Sequence, residues 1–415
     1  MLEVTQTAAG GSDANRYTLK DKIRAIGPGI IIIGSFLGPG TITTATRTGA
    51  SFGYSLLWTI VFSVLATIIL QEMASRIGII SQKGLAEHIT EFFEKNKFLR
   101  TLSIFFVGGA ITLGGIAYMS GDLLGTSLGI SQITGLPREA IAPFIGLLIL
   151  FIINVGTVKW LEYILGALVA TMVIIFVMTM FIVQPDLSEM AAGLVPSIPE
   201  NGLLYCVALI GTTIVPYNLF IHCTNAKDKW SKPEHLTLSR WDITVSVIIG
   251  GIITMAVMVT AGTIMRGMEV NSVADLSVQL EPVLGSYANL VMSLGLFAAG
   301  LSSAIITPLG VSYVLSGLLG WQPNKTDKRF VFTNIAILVI GIIGATTGFN
   351  PLTVILMAQA LNGVFLPVIV IAVVVIASLP KVLGENANSG LQKFLGAGII
   401  LVTAAIGIKS LASMF

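Results

Sequence analysis

Charge is what this sequence has least of: Asp, Glu, Lys and Arg together make up 11% of its 415 residues, against about 25% in ordinary soluble domains. With 54% hydrophobic residues and a mean hydropathy of +0.90, the chain cannot cover a soluble surface, and the bilayer must be its solvent. Cysteine is scarce too. Cys206 and Cys223 both lie in or beside one apolar run, which excludes a disulfide framework or a cysteine-rich metal site. Only three histidines occur, two of them (His88 and His235) in polar loops. No nucleophile stands near an oriented base, so the sequence does not read as an enzyme and calls for no cofactor. A net charge of +2, without a basic arm carrying interleaved aromatics, gives no reason to expect nucleic acid as a partner. Residues 1 to 26 lack the short apolar stretch and cleavage site of a signal peptide and read as a cytosolic tail.

Apolar runs and glycine are abundant. The 44 glycines would weaken soluble helices but suit membrane helices that pack backbone to backbone. Runs of roughly 17 to 25 residues are long enough to cross a bilayer. They predict an all-α polytopic membrane protein with eleven transmembrane helices, at 27 to 50, 54 to 76, 101 to 133, 139 to 157, 160 to 184, 202 to 225, 242 to 265, 283 to 318, 330 to 348, 351 to 379 and 392 to 412. Loop charge tests the count. With the N-terminus inside, only Arg47, Arg138, Arg266 and Lys409 of the 23 Lys and Arg fall on or toward the outer side, and a missed helix would scramble that bias. The C-terminus is then outside.

Two spans interrupt themselves. Gly38-Pro39-Gly40-Thr41 sits within the first, and Val215-Pro216-Tyr217-Asn218, preceded by Gly211-Thr212-Thr213, within the sixth. Broken backbone at membrane depth is tolerated where it is buried in protein or lines a wet cavity. A proline kink would account for either break alone. Their placement in the first and sixth spans predicts two five-helix halves, 27 to 184 and 202 to 379, as an inverted repeat with its site at the midplane. The eleventh helix, 392 to 412, is an addition.

Ionisable residues within spans are costly, about 2.5 to 3.5 kcal/mol each on insertion scales, so each needs a reason. Asp122 in the third span and His222 in the sixth are candidates for ion coupling, although either could be a group satisfied by packing. Arg47 in the outer part of the first span could face the pathway or snorkel to the interface. Glu72 is placed to pair with Arg76 at i,i+4. Thr41, Thr212, Tyr217, Asn218, Gln359 and Asn362 are neutral hydrogen-bonding companions.

These residues resemble a known family. Gly27-Pro28-Gly29, then Gly38-Pro39-Gly40-Thr41, then Phe52 through Trp58, resemble the opening of the NRAMP family of proton-coupled divalent-metal transporters. So do Arg76 through Glu87, Pro216 to His222, Ala298 to Ser303, and Ala358-Gln359 with Leu366-Pro367. The resemblance covers the first ten spans and implies a leucine-transporter-like 5+5 inverted repeat, with one bundle moving against the other. It also implies departures. The family's Asp-Pro-Gly-Asn becomes Gly38 to Thr41 here, so two metal-ligand positions are Gly38 and Thr41. In the sixth span Thr212 stands at an Ala, Val215 at the thioether ligand and Tyr217 at a histidine, while His222 is kept. Of two acidic proton-path positions in the third span, Met119 and Asp122, one acid remains, and Gln359 is retained.

The substrate site is therefore expected at Gly38, Gly40, Thr41, Thr212, Val215, Tyr217 and Gln359, with Asp122 and then His222 as the coupling groups. Transition metals prefer imidazole, sulfur or carboxylate ligands, and this shell offers hydroxyl, amide and backbone oxygen. One expectation is a divalent-cation transporter of altered selectivity. A second is the same fold moving a small organic solute or carboxylate, drawn by free amides where the outer half of the first span begins after Gly40. A non-transporting sensor is a third. Coupling is by H⁺ or Na⁺, since Ser302, Ser303 and Thr307 in the eighth span could form an oxygen-only Na⁺ site. The expected setting is a prokaryotic inner membrane.

Overall fold

A computed structural model describes residues 17–25, 38–156 and 159–412. Among the described residues no β-strand occurs. The principal helices are α1 (Leu19–Ala25), α2 (Pro39–Phe52), α3 (Leu57–Ser81), α4 (Leu85–Phe92), α5 (Lys97–Thr134), α6 (Arg138–Val155) and α7 (Lys159–Ile182). They continue with α8 (Leu203–Thr213), α9 (Pro216–Lys229), α10 (Leu236–Ile264), α11 (Ala288–Leu319), α12 (Lys328–Ala345), α13 (Pro351–Ala377) and α14 (Gly390–Ala412).

Nine stretches among the described residues are long and apolar enough to cross a membrane, with α8 and α9 together forming one of them. The two remaining expected spans are the fourth, which is the 18-residue α6, and the first, described only from Gly38 onward. The Gly27-Pro28-Gly29 motif lies outside the described residues. Helix ends shift by a few residues from the expected limits. The largest changes are α3, which runs on to Ser81 rather than stopping at 76, and α10, which begins at Leu236 rather than 242. The stretch from 283 to 287 is short turns leading into α11 rather than the helix itself.

Local chemistry sets the ends. Asn96 and Asn350 accept backbone N–H groups in the first turns of α5 and α13, the side-chain cap a helix start lacks otherwise. Gly135 and Gly320 close α5 and α11 at positive φ. Pro39, Pro216 and Pro351 all stand at first helical positions, where the missing N–H costs nothing.

The long α5 is the organiser, packed along α11, α13 and α12. Around it α2 lies on α10, α8 on α13, and α9 on α3. Phe105, Phe144, Phe181, Phe332 and Leu401 are each more than 60% exposed, an apolar exterior that only lipid can cover. The interior holds what lipid would not accept: Thr41, Asp122, Thr212, His222, Ser303, Thr307 and Gln359 are all buried.

Candidate functional site

The sixth span breaks as expected. Its two halves are separated by Ile214 and Val215, which are non-helical, and Val215 caps α9 in extended geometry. A broken helix strands carbonyls, and one of them, Gly211 O, accepts a hydrogen bond from Tyr118 Oη of α5 at 2.7 Å. Tyr118 also packs edge to face on Tyr217, ring centroids 5.9 Å apart. Sequence patterns gave no signal for Tyr118, because an aromatic in a long apolar helix looks like packing.

In the first span the helix starts at Pro39, with Gly38 as its extended cap. Gly40 and Thr41 therefore sit in the first helical turn rather than in a break. The helix start expected just after Gly40 thus lies at Pro39, with Gly38 extended before it. Pro39 has no N–H, the Thr41 N–H turns back onto Gly38 O at 3.1 Å, and the Gln359 carboxamide lies against Gly40 so closely that a methyl group there would overlap it.

What stands at Gly38 is a carboxylate. A methyl group on Gly38 would lie 3.7 Å from Asp122 Oδ1 and 3.8 Å from Ser303 Oγ. Asp122 Oδ2 accepts hydrogen bonds from Ser303 Oγ at 2.7 Å and Thr307 Oγ1 at 3.1 Å. Tyr217 Oη is 3.1 Å from Thr307 Oγ1, so with Thr307 donating to Asp122 the tyrosine hydroxyl donates to Thr307. Asp122 and the α11 hydroxyls, expected as rival coupling devices, form one cluster at the end of α2. Asp122 is 2% exposed and, among the described residues, has no ion-pair partner.

Beside this cluster Thr41 Oγ1 and Thr212 Oγ1 lie 2.8 Å apart, joining α2 to α8. The Gln359 carboxamide lies between Gly40 of α2 and Gly121 of α5. Its Nε2 is 3.9 Å from where a methyl group on Gly121 would stand, and its Oε1 is buried with no hydrogen-bond partner among the described residues. Gly38, Gly40, Thr41, Thr212, Tyr217 and Gln359 are thus brought together around Asp122, with Val215 supplying the extended turn of the break.

Other candidates stand apart. His222 lies five residues beyond Tyr217 on α9, about 7.5 Å along the axis. It is 1% exposed, and neither ring nitrogen has a partner among the described residues. Arg47 donates from Nη1 to Thr353 Oγ1 at 3.1 Å, which ties the C-terminal half of α2 to the start of α13. Asn362 donates to Ala358 O at 3.0 Å within α13. No group of three His, Cys, Asp or Glu side chains that could hold a metal occurs among the described residues. Away from the cluster His88 touches Ser81 Oγ at 2.7 Å, and burial lowers its pKa below the ordinary histidine value.

Comparison with known proteins follows the same lines. The family model for natural resistance-associated macrophage protein-like (Nramp) proteins matches residues 29–413. A divalent metal cation transporter, MntH, of Erwinia tasmaniensis is 28% identical over 410 residues, covering 96% of each chain. Among solved structures, the manganese transporter of Eremococcus coleocola superposes with a TM-score of 0.78 at 18% identity, covering 98% of this chain and 89% of its own. MhsT, solved with L-phenylalanine, superposes at 0.60 and 16% identity over 94% of this chain and 98% of its own. At those identities the likeness is one of fold.

Proposed function

The chain belongs to the Nramp family of membrane transport proteins, and on that premise we propose that it is a secondary active transporter. Its cargo is a divalent metal cation, its coupling ion the proton, and its selectivity is shifted toward hard, oxygen-preferring ions. The observation that carries this reading is the Asp122 carboxylate set against Gly38 and held by Ser303 and Thr307. The cluster therefore keeps one carboxyl group, although the first and sixth spans supply none. A hard dication takes carboxylate, hydroxyl, amide and carbonyl oxygen, and Asp122, Thr41, Thr212 and the unpartnered Gln359 Oε1 offer that set. Sulfur and imidazole, which would favour softer metals, are absent from this described cluster. The curated relative named for divalent metal transport supports the same cargo.

In this reading residues 27–184 and 202–379 act as the two halves of the repeat in a prokaryotic inner membrane, N-terminus cytoplasmic and C-terminus outside. Asp122 exchanges its proton for the cation, since no fixed positive charge among the described residues pairs with it. His222, buried without partners on α9, is the second coupling group, toward the cytoplasm. A small organic carboxylate is the rival cargo, and the absence of a three-residue metal cluster among the described residues is what favours it.

The test is uptake by proteoliposomes under imposed pH and Na⁺ gradients, with Mn²⁺, Mg²⁺ and a panel of labelled small carboxylates. Saturable, pH-driven metal entry that falls by about two orders of magnitude in Asp122→Asn is expected. Metal entry that is unchanged, with the same pH dependence, in Asp122→Asn sinks the coupling assignment. Accumulation of a carboxylate with no metal entry sinks the cargo.

A further inference from the structure

The cytoplasmic ends of α6, α11 and α12, with the loop joining α11 to α12, enclose a cavity of about 250 Å³. None of its lining residues belongs to the Asp122 cluster. Its walls are apolar: Leu150, Ile153, Leu309 and Ile335, with Tyr313 and Phe330 stacked edge to face at 5.4 Å.

The polar groups that line it are short of acceptors. Asn334 is 4% exposed and its Oδ1 already takes the Ser312 hydroxyl at 2.9 Å. Asn324 Oδ1 is occupied by the Thr326 amide at 2.9 Å and by its hydroxyl. What these two carboxamides have left to give is N–H. Lys325 spends one of its three donors on Asn154 O at 2.6 Å, near the C-terminal end of α6, which pins an ammonium at the rim. The nearby acid, Asp327, is consumed by the Arg329 fork at 2.8 and 3.0 Å and by the Gln322 amide. Asn154 turns its own amide back onto Leu150 O. A cation and carboxamide donors above an apolar slot suit an anion with a hydrocarbon body.

We propose that this cavity binds one anionic phospholipid of the cytoplasmic leaflet, its phosphate against Lys325, Asn324 and Asn334. The bilayer is the source because the slot adjoins lipid-facing surface: Leu147 and Phe151 on α6 and Phe332 on α12 are 63 to 69% exposed. At ~30 Å³ per water-sized group the cavity takes about eight such groups. That is enough for a phosphate and the first glycerol atoms, with the chains running out along α6 and α12. Basic pockets between helices on the cytoplasmic side recognise headgroups in this way.

Native mass spectrometry of the purified full chain, titrated with phosphatidylglycerol and separately with phosphatidylcholine, tests this. One phosphatidylglycerol per chain should be retained, with about a fivefold preference over phosphatidylcholine, as one well-placed lysine contributes. Lys325→Gln should remove the preference and Lys325→Arg keep it. Lys328→Gln, one charge on the first turn of α12 outside the cavity, should leave it unchanged. Asn334→Leu should weaken retention without touching the Lys325 contact, which keeps the idea testable should Lys325→Gln fail to fold. Equal retention of both lipids, an equal loss in Lys328→Gln, or displacement of phosphatidylglycerol by millimolar inorganic phosphate would each overturn it.

Discussion

Two buried charges in this protein are treated in opposite ways. Arg76, near the C-terminal end of α3, is 3% exposed and surrounded by partners: Glu72 at 3.1 Å, Asn386 O at 2.7 Å, Asn388 Oδ1 at 2.6 Å and Gln392 Oε1 at 3.3 Å. Glu72 is shared with Arg240 at 2.9 Å. Asp122, as deeply buried in α5, has two hydroxyls and a glycine. A buried charge matched by a countercharge and by oriented carbonyls is a fastener, since losing either partner leaves an uncompensated charge in low dielectric. One held only by hydroxyls can be neutralised by a proton or by a passing cation, and the same hydroxyls can serve either state because each both donates and accepts. The first arrangement fixes α3 to the loop before α14. The second is suited to turnover.

Breaking the fastener should give the largest change in stability. Arg76→Ala leaves Glu72 with only the half-exposed Arg240 and frees three acceptors, a loss of about 3 kcal/mol. Thermal unfolding in detergent would read it as a clear fall in melting temperature. A melting temperature equal to the parent's would show that the loop holds itself. Sharpening the other side, Gly38→Asp puts a second carboxylate into contact with the first. Two like charges at that spacing oppose each other, and transport should drop roughly tenfold, with recovery when Gly38→Asp is combined with Asp122→Asn. A double variant no better than the single would mean that the carboxylate's position, and not merely its presence, is required. The smallest effects belong to the neutral groups. Thr41→Ala leaves the Thr212 hydroxyl without its 2.8 Å partner, and Gln359→Ala opens the space over Gly40. Each should raise the apparent KM about fivefold, the worth of roughly 1 kcal/mol in hydrogen bonding, with expression normal. Unchanged KM in both would place the substrate elsewhere.

The fold was largely legible in the chain because its signals are local. A run of apolar residues, a proline at the first position of a helix and a glycine at its end act within a turn or two, and they placed α5, α12, α13 and α14 to within a few residues. The Glu72–Arg76 pair was legible for the same reason, being one helical turn apart. Parts of the site were not. Tyr118 capping Gly211, Gln359 lying on Gly40 and Asp122 standing at Gly38 each join residues more than 80 positions apart, and no periodicity encodes such a meeting. In the first span the helix start falls at Pro39, two residues before the expected point, and the turn uses the Thr41 amide itself.

By itself, then, the sequence determined that this protein lives in a bilayer, that its sixth span breaks at a proline, and that the residues where its two spans are interrupted lack sulfur and charge. Those follow from transfer free energy and from what proline and glycine do to a helix, which need no knowledge of neighbours. Only the tertiary structure decided where the remaining charge goes. Packing α5 against α11 brings Asp122 to Ser303 and Thr307 at the very end of α2. An isolated carboxylate in a helix becomes a site only when other helices bring it hydroxyl donors and leave a glycine's worth of room beside it.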